Sequence, residues 1–413
     1  MKMTGLLLTV MMCAVVWAEG GSINCALQPV QAEAVEAEEA TVEVVEAELA
    51  PVVEAEDQPV VQMAILLDTS GSMSGLIQQA KIALWKIVNE LITAKQDGQR
   101  PMLSVALYEY GNSRLAAEGG WIRQILPLTD DLDRVSQELF ALTTSGGSEH
   151  CGQVIEHAAQ QLQWSVDNDD LKVIFIAGNE PFTQGPVDYR AAVKAAITKG
   201  VIVNTIHCGD ERQGIEGMWK DGALLADGSY SIINQNQTVV YIEAPQDKEL
   251  AQLGVEINTT YIAFGSDARR GGANQMAQDA NAMQLGAASS VQRAVAKGNA
   301  FYKNANWDLV DAYTQKKVDL AKVKKKDLPE GLRKLSTKDL ESHIKMQIAR
   351  RGEFQKKINE LNEARKVYVA EKMKEQGQSD EDTLDDALIR AIRNQAGKKR
   401  FEFGKVAEEK VGS

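Results

Sequence analysis

A carboxylate and two hydroxyls stand two residues apart in the segment Asp68-Thr69-Ser70-Gly71-Ser72. In a tight turn that contains glycine, the side-chain oxygens of Asp68, Ser70 and Ser72 can converge on one hard cation. Magnesium takes about six oxygen ligands in octahedral geometry and readily keeps some waters. Because two of these three ligands are neutral, the ion stays electron-poor, and an acidic group of a partner can complete its shell. The alternative is structural, with Asp68 and Ser70 only capping the helix that follows.

The residues before this turn form the apolar run Val60–Leu67, which predicts a strand covered on both faces. Helical and strand patterns then alternate, which predicts an α/β fold with a doubly wound, mainly parallel sheet. Ligands of such sheets collect at the carboxyl ends of the strands, where Asp68 stands. The further strands are predicted over Met102–Tyr110, Trp121–Leu128, Leu171–Ala177, Val201–His207 and Ser229–Ile233, and the helices over Asp131–Leu142, Cys151–Trp164, Val187–Lys199 and Lys248–Phe264.

The strand at Trp121–Leu128 has no helical pattern before it, so we expect an antiparallel edge strand. Pro127 suits an edge or a strand end better than the middle of a sheet, because proline lacks the N–H that a central strand needs.

The segment Ile65–Met73 resembles the first motif of the metal-ion-dependent adhesion site in von Willebrand factor type A (vWA) domains. The order of elements from Val60 to about Gly265 is also similar to that family. The resemblance implies a Rossmann-like fold, a bound Mg²⁺ or Mn²⁺, and a protein partner that presents an acidic residue.

The same resemblance implies two further ligands. The family takes one, usually threonine, from a loop between two helices, and here Ser148 offers the hydroxyl, with Thr143 and Thr144 as weaker substitutes. The family takes the other from an aspartate after the fourth strand, but this chain has Gly178 there. Asn179 or Glu180 could replace the missing acid through a water, although neither is at the matching position.

Two cysteines are predicted at the same edge of the sheet, Cys151 at the start of a helix and Cys208 at the end of a strand. An oxidising compartment would allow a disulfide between them, and two buried free thiols are the alternative. A zinc site with His150 and His207 is a third hypothesis. It is disfavoured because neighbouring strand residues point to opposite faces.

The chain divides into four predicted regions. Residues 1–18 form a signal peptide, with Lys2 before a short apolar run, and an uncleaved membrane anchor is the alternative. Residues 19–59 form a disordered tether rich in Ala, Val and Glu, whose segment 19–58 holds eleven acids and no Lys or Arg. Residues 60–266 form the vWA domain, and residues 267–413 form a charged α-helical C-terminal extension that begins with a loop at Arg269–Asn274.

These features favour an exported, periplasmic or secreted, interaction module rather than an enzyme. The chain has four histidines, and no arrangement of a nucleophile with a base stands out. No second apolar run is long enough for a membrane span, and the basic C-terminal segments lack the aromatic residues that nucleic-acid binding would require. The alternatives are a metal-assisted hydrolase and a vWA scaffold that has lost its metal. The sequence leaves the oligomeric state open.

Overall fold

A computed structural model of the chain describes residues 58–91, 93–234, 241–299, 301–376 and 384–403. The predicted signal peptide and nearly all of the predicted tether lie outside these residues. Among the helices that the structure describes, none is both long enough and apolar enough to cross a bilayer.

The strands are short and mostly buried. In chain order they are β1 (Val60–Asp68), β2 (Lys95–Gln96), β3 (Met102–Tyr110), β4 (Ile122–Thr129), β5 (Leu171–Gly178), β6 (Ile202–Cys208), β7 (Tyr230–Ile233) and β8 (Phe401–Glu402).

Six of these strands form the central sheet, in the order β4-β3-β1-β5-β6-β7. All neighbours are parallel except β4, which pairs antiparallel with β3 at the edge. The doubly wound, mainly parallel sheet and its antiparallel edge strand are therefore confirmed. Because the chain runs from β1 outwards in both directions, the strand order reverses beside the carboxyl ends of β1 and β5.

α-Helices cover both faces of this sheet and continue beyond it into the C-terminal region. In chain order they are α1 (Ser74–Leu91), α2 (Leu132–Ala141), α3 (Cys151–Gln161), α4 (Tyr189–Thr198), α5 (Glu211–Glu216), α6 (Trp219–Leu224), α7 (Asp247–Glu256), α8 (Ala268–Leu285), α9 (Ala287–Lys297), α10 (Leu309–Thr314), α11 (Thr337–Gln376) and α12 (Leu384–Lys398).

Successive strand residues point to opposite faces, so β1 feeds two separate cores. Met63, Ile65 and Leu67 pack in one core with α1, α2 and α12. Ala64 and Leu66 pack in the other core with α3, α4 and α6. A side chain near the turn at Asp68 therefore packs in one of these two cores, on one face of the sheet or the other.

The predicted loop at Arg269–Asn274 is wrong, because these residues lie within α8. The glycines there serve close packing rather than a turn. A Cβ on Gly271 would lie 2.2 Å from Cγ of Trp307, so only a glycine lets the helix approach that indole.

The last helix of the predicted C-terminal extension packs against the sheet. Leu384, Leu388 and Ile392 of α12 belong to the same core as Leu67 and Phe175. The buried Asn204 of β6 exchanges hydrogen bonds with Gln395, and its Nδ2 lies 3.1 Å from Oε1 of Gln395. The helices from α7 to α11 therefore stand in the sequence between the last strand of the sheet and a helix that covers it.

Candidate metal site at the carboxyl edge of the sheet

Asp68 is the last residue of β1, and the turn that follows is held by backbone hydrogen bonds. The Ser70 N–H donates to Oδ1 of Asp68 at 2.7 Å. The Thr69 N–H donates to the Tyr110 carbonyl at 2.9 Å, which ties the turn to the end of β3. These bonds hold Ser70 beside the Asp68 carboxylate and fix the start of the turn that carries Ser72.

Among the residues that the structure describes, two buried oxygens at this edge have no hydrogen-bond partner. One is Oδ2 of Asp68, a residue with no exposed surface, and the other is Oδ1 of Asn179. The Asn179 amide also reaches the turn, because its Nδ2 donates to the Ser72 hydroxyl at 3.3 Å. Burial raises the pKa of Asp68 to about 6, an effect that hydrogen bonds from Ser70 partly offset. Unpartnered buried oxygens are costly, and a bound cation is one partner that would satisfy such an oxygen.

The loop that carries Ser148 folds over the turn. The Ser145 N–H donates to the Thr69 carbonyl at 3.0 Å. Gly147 lies so close to β3 that a Cβ on it would be 2.2 Å from the Gly111 carbonyl oxygen. The structure therefore brings the half-buried Ser148 to the same edge as Asp68 and Ser70.

Thr143 is engaged elsewhere. Its carbonyl accepts a hydrogen bond from Asn112 at 2.8 Å, and its hydroxyl accepts one from Arg114 at 3.2 Å.

Glu149 is a site residue that sequence reasoning missed. Its side chain is 5% exposed and lies beside Asp68, with Gly111 between them. Burial and the negative charges of Asp68 and Glu180 raise the pKa of Glu149 to about 7. The available signal was its place directly after Ser148, but the family pattern directs attention to a hydroxyl at this loop.

Gly178 leaves no space for the acid that the family pattern places there. A Cβ on Gly178 would lie 2.5 Å from Oη of Tyr110 and 3.1 Å from Oδ2 of Asp68. The Tyr110 hydroxyl donates to the Ala177 carbonyl at 3.0 Å, so it is held in this position. The half-buried Asn179 and Glu180 follow directly and line the same edge of the sheet.

The disulfide expectation is wrong for this structure, because Cys151 and Cys208 are both free and buried. They lie near the same edge, and burial together with the charge of Asp68 raises the pKa of each thiol. However, Cys151 packs in the core on the α3 side of the sheet, whereas Cys208 packs in the core on the α1 side. The sheet itself therefore separates the two sulfurs.

The zinc hypothesis has no support in the geometry. His207 is buried, and neither of its ring nitrogens has a hydrogen-bond partner. It contacts Trp219, with ring centroids 5.7 Å apart, and so faces away from the core that holds Cys208. In the part of the chain that the structure describes, no three His, Cys, Asp or Glu side chains are grouped to hold a metal ion. A cation at Asp68 would therefore need hydroxyl, amide and water oxygens as well as carboxylates.

Comparison with solved structures finds similar chains at low identity. They include proximal thread matrix protein 1 from the mussel byssus (13% identity, TM-score 0.33, 44% of this chain and 43% of that chain). They also include BatB from Bacteroides thetaiotaomicron (19% identity, TM-score 0.32, 42% of this chain and 90% of that chain). A third is the SpRpn10 VWA domain (16% identity, TM-score 0.32, 44% of this chain and 100% of that chain). The match thus spans less than half of the mussel protein, and the comparison with curated proteins found no match.

The family comparison is specific to one region of the chain. The model of the von Willebrand factor type A domain matches residues 62–220. These residues include the turn after β1, the loop that carries Ser148 and the end of β5, and they contribute five of the six strands of the doubly wound sheet described above. The chain therefore contains a von Willebrand factor type A domain.

Proposed function

We propose that this protein is an exported, metal-ion-dependent interaction module that grips an acidic group of a partner protein through a divalent cation. Domains of this family are typically interaction modules, and many bind a divalent metal. The cation would be Mg²⁺ or Mn²⁺, held by Asp68, Ser70, Ser72 and Ser148. Asn179 and Glu180 would contribute through water. A cation held mainly by neutral oxygens offers a positively charged open position to a carboxylate of the partner.

One observation carries this proposal. The unpartnered oxygens of Asp68 and Asn179 come from the ends of two adjacent strands, and the Asn179 amide also donates to the Ser72 hydroxyl. A turn that only capped α1 would not require a fully buried carboxylate oxygen without a partner. A hard cation prefers oxygen ligands of this kind and would compensate the cost of burying them.

The test is to titrate Mg²⁺ and Mn²⁺ into the full chain after treatment with EDTA, following heat of binding and thermal unfolding. A cation at a hundredfold excess over its dissociation constant should stabilise the fold by about 2.7 kcal/mol. Asp68→Asn should abolish this gain. Asp227→Asn changes an exposed turn residue in the same way and should leave the gain unchanged.

Two outcomes would contradict the proposal. If wild type shows no stabilisation by either metal, with or without an acidic peptide, the domain is a scaffold that has lost its metal. If added metal instead produces turnover of an activated ester or phosphate that depends on Asp68, the protein is a metal-assisted hydrolase.

Export is part of the proposal and has a separate test. The N-terminal sequence of the protein recovered from outside the cytoplasm should begin after residue 18. A mature protein that keeps residues 1–18 would indicate a membrane anchor, and protein confined to the cytoplasm would contradict export.

A further inference from the structure

Glu149 lies in the loop between α2 and α3, directly after Ser148 and beside the candidate metal site. It comes two residues before the start of α3, and its backbone N–H donates to Oε1 of Gln184. This bond holds its backbone in place at the start of the helix. Its side chain turns inward and is 5% exposed, an unusual position for a glutamate that is not paired with a base.

Glu149 and Asp68 lie on either side of the same glycine. A Cβ on Gly111 would be 2.9 Å from Oδ1 of Asp68, 2.9 Å from Cγ of Glu149 and 3.5 Å from Oε1 of Glu149. Gly111 has a φ of 77°, which also favours glycine. A larger residue here would separate the two carboxyl groups, so the backbone directly after β3 is shaped to let them approach.

This approach is unfavourable without a positive charge between the carboxylates. The charges that act most strongly on Glu149 are those of Asp68 and Glu180, and both are negative. Two buried carboxylates repel each other unless a cation or a proton lies between them. The other oxygen of the same carboxyl group, Oδ2 of Asp68, lies on the side of Gly178 and is unpartnered, which is a second, independent sign that an ion belongs at this site.

We infer that the Glu149 carboxylate replaces the acid missing at position 178, so that the site binds a divalent cation without a carboxylate from a partner. This inference rests on the proposed metal-dependent function and deepens it. Position 178 cannot supply the acid, because the Tyr110 hydroxyl fills the space beside it. Asp68 and Glu149 would hold the ion through two carboxylates of this chain, one more than the first motif supplies. The partner's acid then occupies a free coordination position, and it is not needed to hold the ion.

The experiment measures Mn²⁺ binding to the full chain by electron paramagnetic resonance of the free ion, in a chloride buffer without any carboxylate. Wild type should bind Mn²⁺ under these conditions. Glu149→Gln keeps the size of the side chain and should weaken binding about tenfold or more, since even residues that only orient a ligand cost 10–100-fold when replaced. Glu243→Gln, which changes an exposed acid, is the matched control and should bind like wild type.

Acetate gives a second readout. In Glu149→Gln, added acetate should restore much of the Mn²⁺ affinity by entering the position that the glutamate leaves. It should have little effect on wild type. Glu149→Asp keeps the charge on a shorter side chain, so its Mn²⁺ affinity without acetate should lie between those of wild type and Glu149→Gln. Unchanged far-ultraviolet circular dichroism would show that each variant is folded.

The outcomes separate this inference from the proposed function. If Asp68→Asn abolishes binding while Glu149→Gln binds as tightly as wild type, Glu149 is not a ligand and the metal-dependent function stands. If wild type binds Mn²⁺ only after acetate is added, the site depends on an outside acid and the inference is overturned. If wild type binds no Mn²⁺ in either buffer, both fail together.

Discussion

At the scale of single residues, Asp68 is both the acid of the first motif and a carboxylate that is costly to bury. Its carboxylate is the only acid of the first motif, yet it is fully buried with one oxygen unpartnered. Burial raises its pKa from the ordinary value near 3.8 to about 6. The folded state therefore holds this proton more tightly than the unfolded chain does. Without metal, the stability that the protonated form contributes is lost as pH rises from about 4 through about 6.

This leads to a prediction for metal-free protein. Asp68→Asn removes the buried charge. The unfolding free energy of the variant minus that of wild type should therefore be larger at pH 7.5 than at pH 4.5. Because the pKa of Asp68 rises from 3.8 to about 6, the increase should be no more than about 3 kcal/mol. Urea unfolding in EDTA at both pH values measures it, with Asp227→Asn as a control that should show no such trend. A difference between variant and wild type that does not vary with pH would contradict the raised pKa.

Gly178 gives a second prediction at this scale. The family pattern suggests that an acid there would strengthen the site, whereas the structure shows a collision with Tyr110. Gly178→Ala adds only the colliding methyl group and should cost about 1–3 kcal/mol, as overpacking usually does. Tyr110→Phe removes the colliding hydroxyl and should recover part of that cost, so the two changes should not be additive in urea unfolding. Additive effects would mean that the two groups do not touch.

The sequence predicts some of these residues and not others for a clear reason. Asp68, Ser70 and Ser72 are close in sequence, so their spacing alone brings their oxygens together. Glu149 reaches Asp68 only because Gly111, the residue directly after β3, leaves room for both side chains. A relation among three separate segments is set by tertiary packing and leaves no local pattern.

At the scale of elements, α12 shows the same limit. A helical pattern near residues 383–398 is visible in the sequence, but periodicity identifies an apolar face without identifying what covers it. In the structure that face covers the sheet, with Leu388 and Ile392 in the core beside Leu67 and Phe175. The boundary at residue 266 stays a prediction, and it separates this helix from the sheet that it covers.

The contribution of α12 can be measured. Ile392 is fully buried, so Ile392→Ala should lower the unfolding free energy of the full chain by about 2–5 kcal/mol through lost burial and the cavity left behind. Val367→Ala on α11 removes a side chain that is 55% exposed and should change stability by no more than about 0.5 kcal/mol. Equal effects of the two substitutions in urea unfolding would show that α12 does not support the sheet.

The cysteines illustrate why position along a strand is not enough. The sequence correctly places Cys151 and Cys208 near one edge, and an oxidising compartment would favour their pairing. Which face of the sheet each occupies decides the outcome, and that depends on the register of every strand between them. The structure places their sulfurs in different cores.

At the scale of the whole molecule, a buried network of charges joins the helical region to the vWA sheet. Arg293 of α9 bonds to Asp133 of α2 at 2.5 Å and to Asp279 of α8 at 2.9 Å. Lys297 also reaches Asp279, at 2.7 Å. Because α2 packs against the sheet while α8 and α9 belong to the later helices, these ion pairs fix the docking of one region on the other.

Removing one member of such a network is costlier than removing an exposed ion pair. Arg293→Ala would leave the carboxylates of Asp133 and Asp279 buried without the arginine that pairs with them. Loss of one partner of a buried ion pair typically costs about 3–5 kcal/mol. We expect the helical region to detach first, so that urea unfolding shows two transitions in place of one. Arg212→Ala, which breaks the exposed pair between Arg212 and Glu216, should cost no more than about 1 kcal/mol and keep a single transition. A small loss with one cooperative transition in Arg293→Ala would mean that apolar packing, and not this network, holds the helices against the sheet.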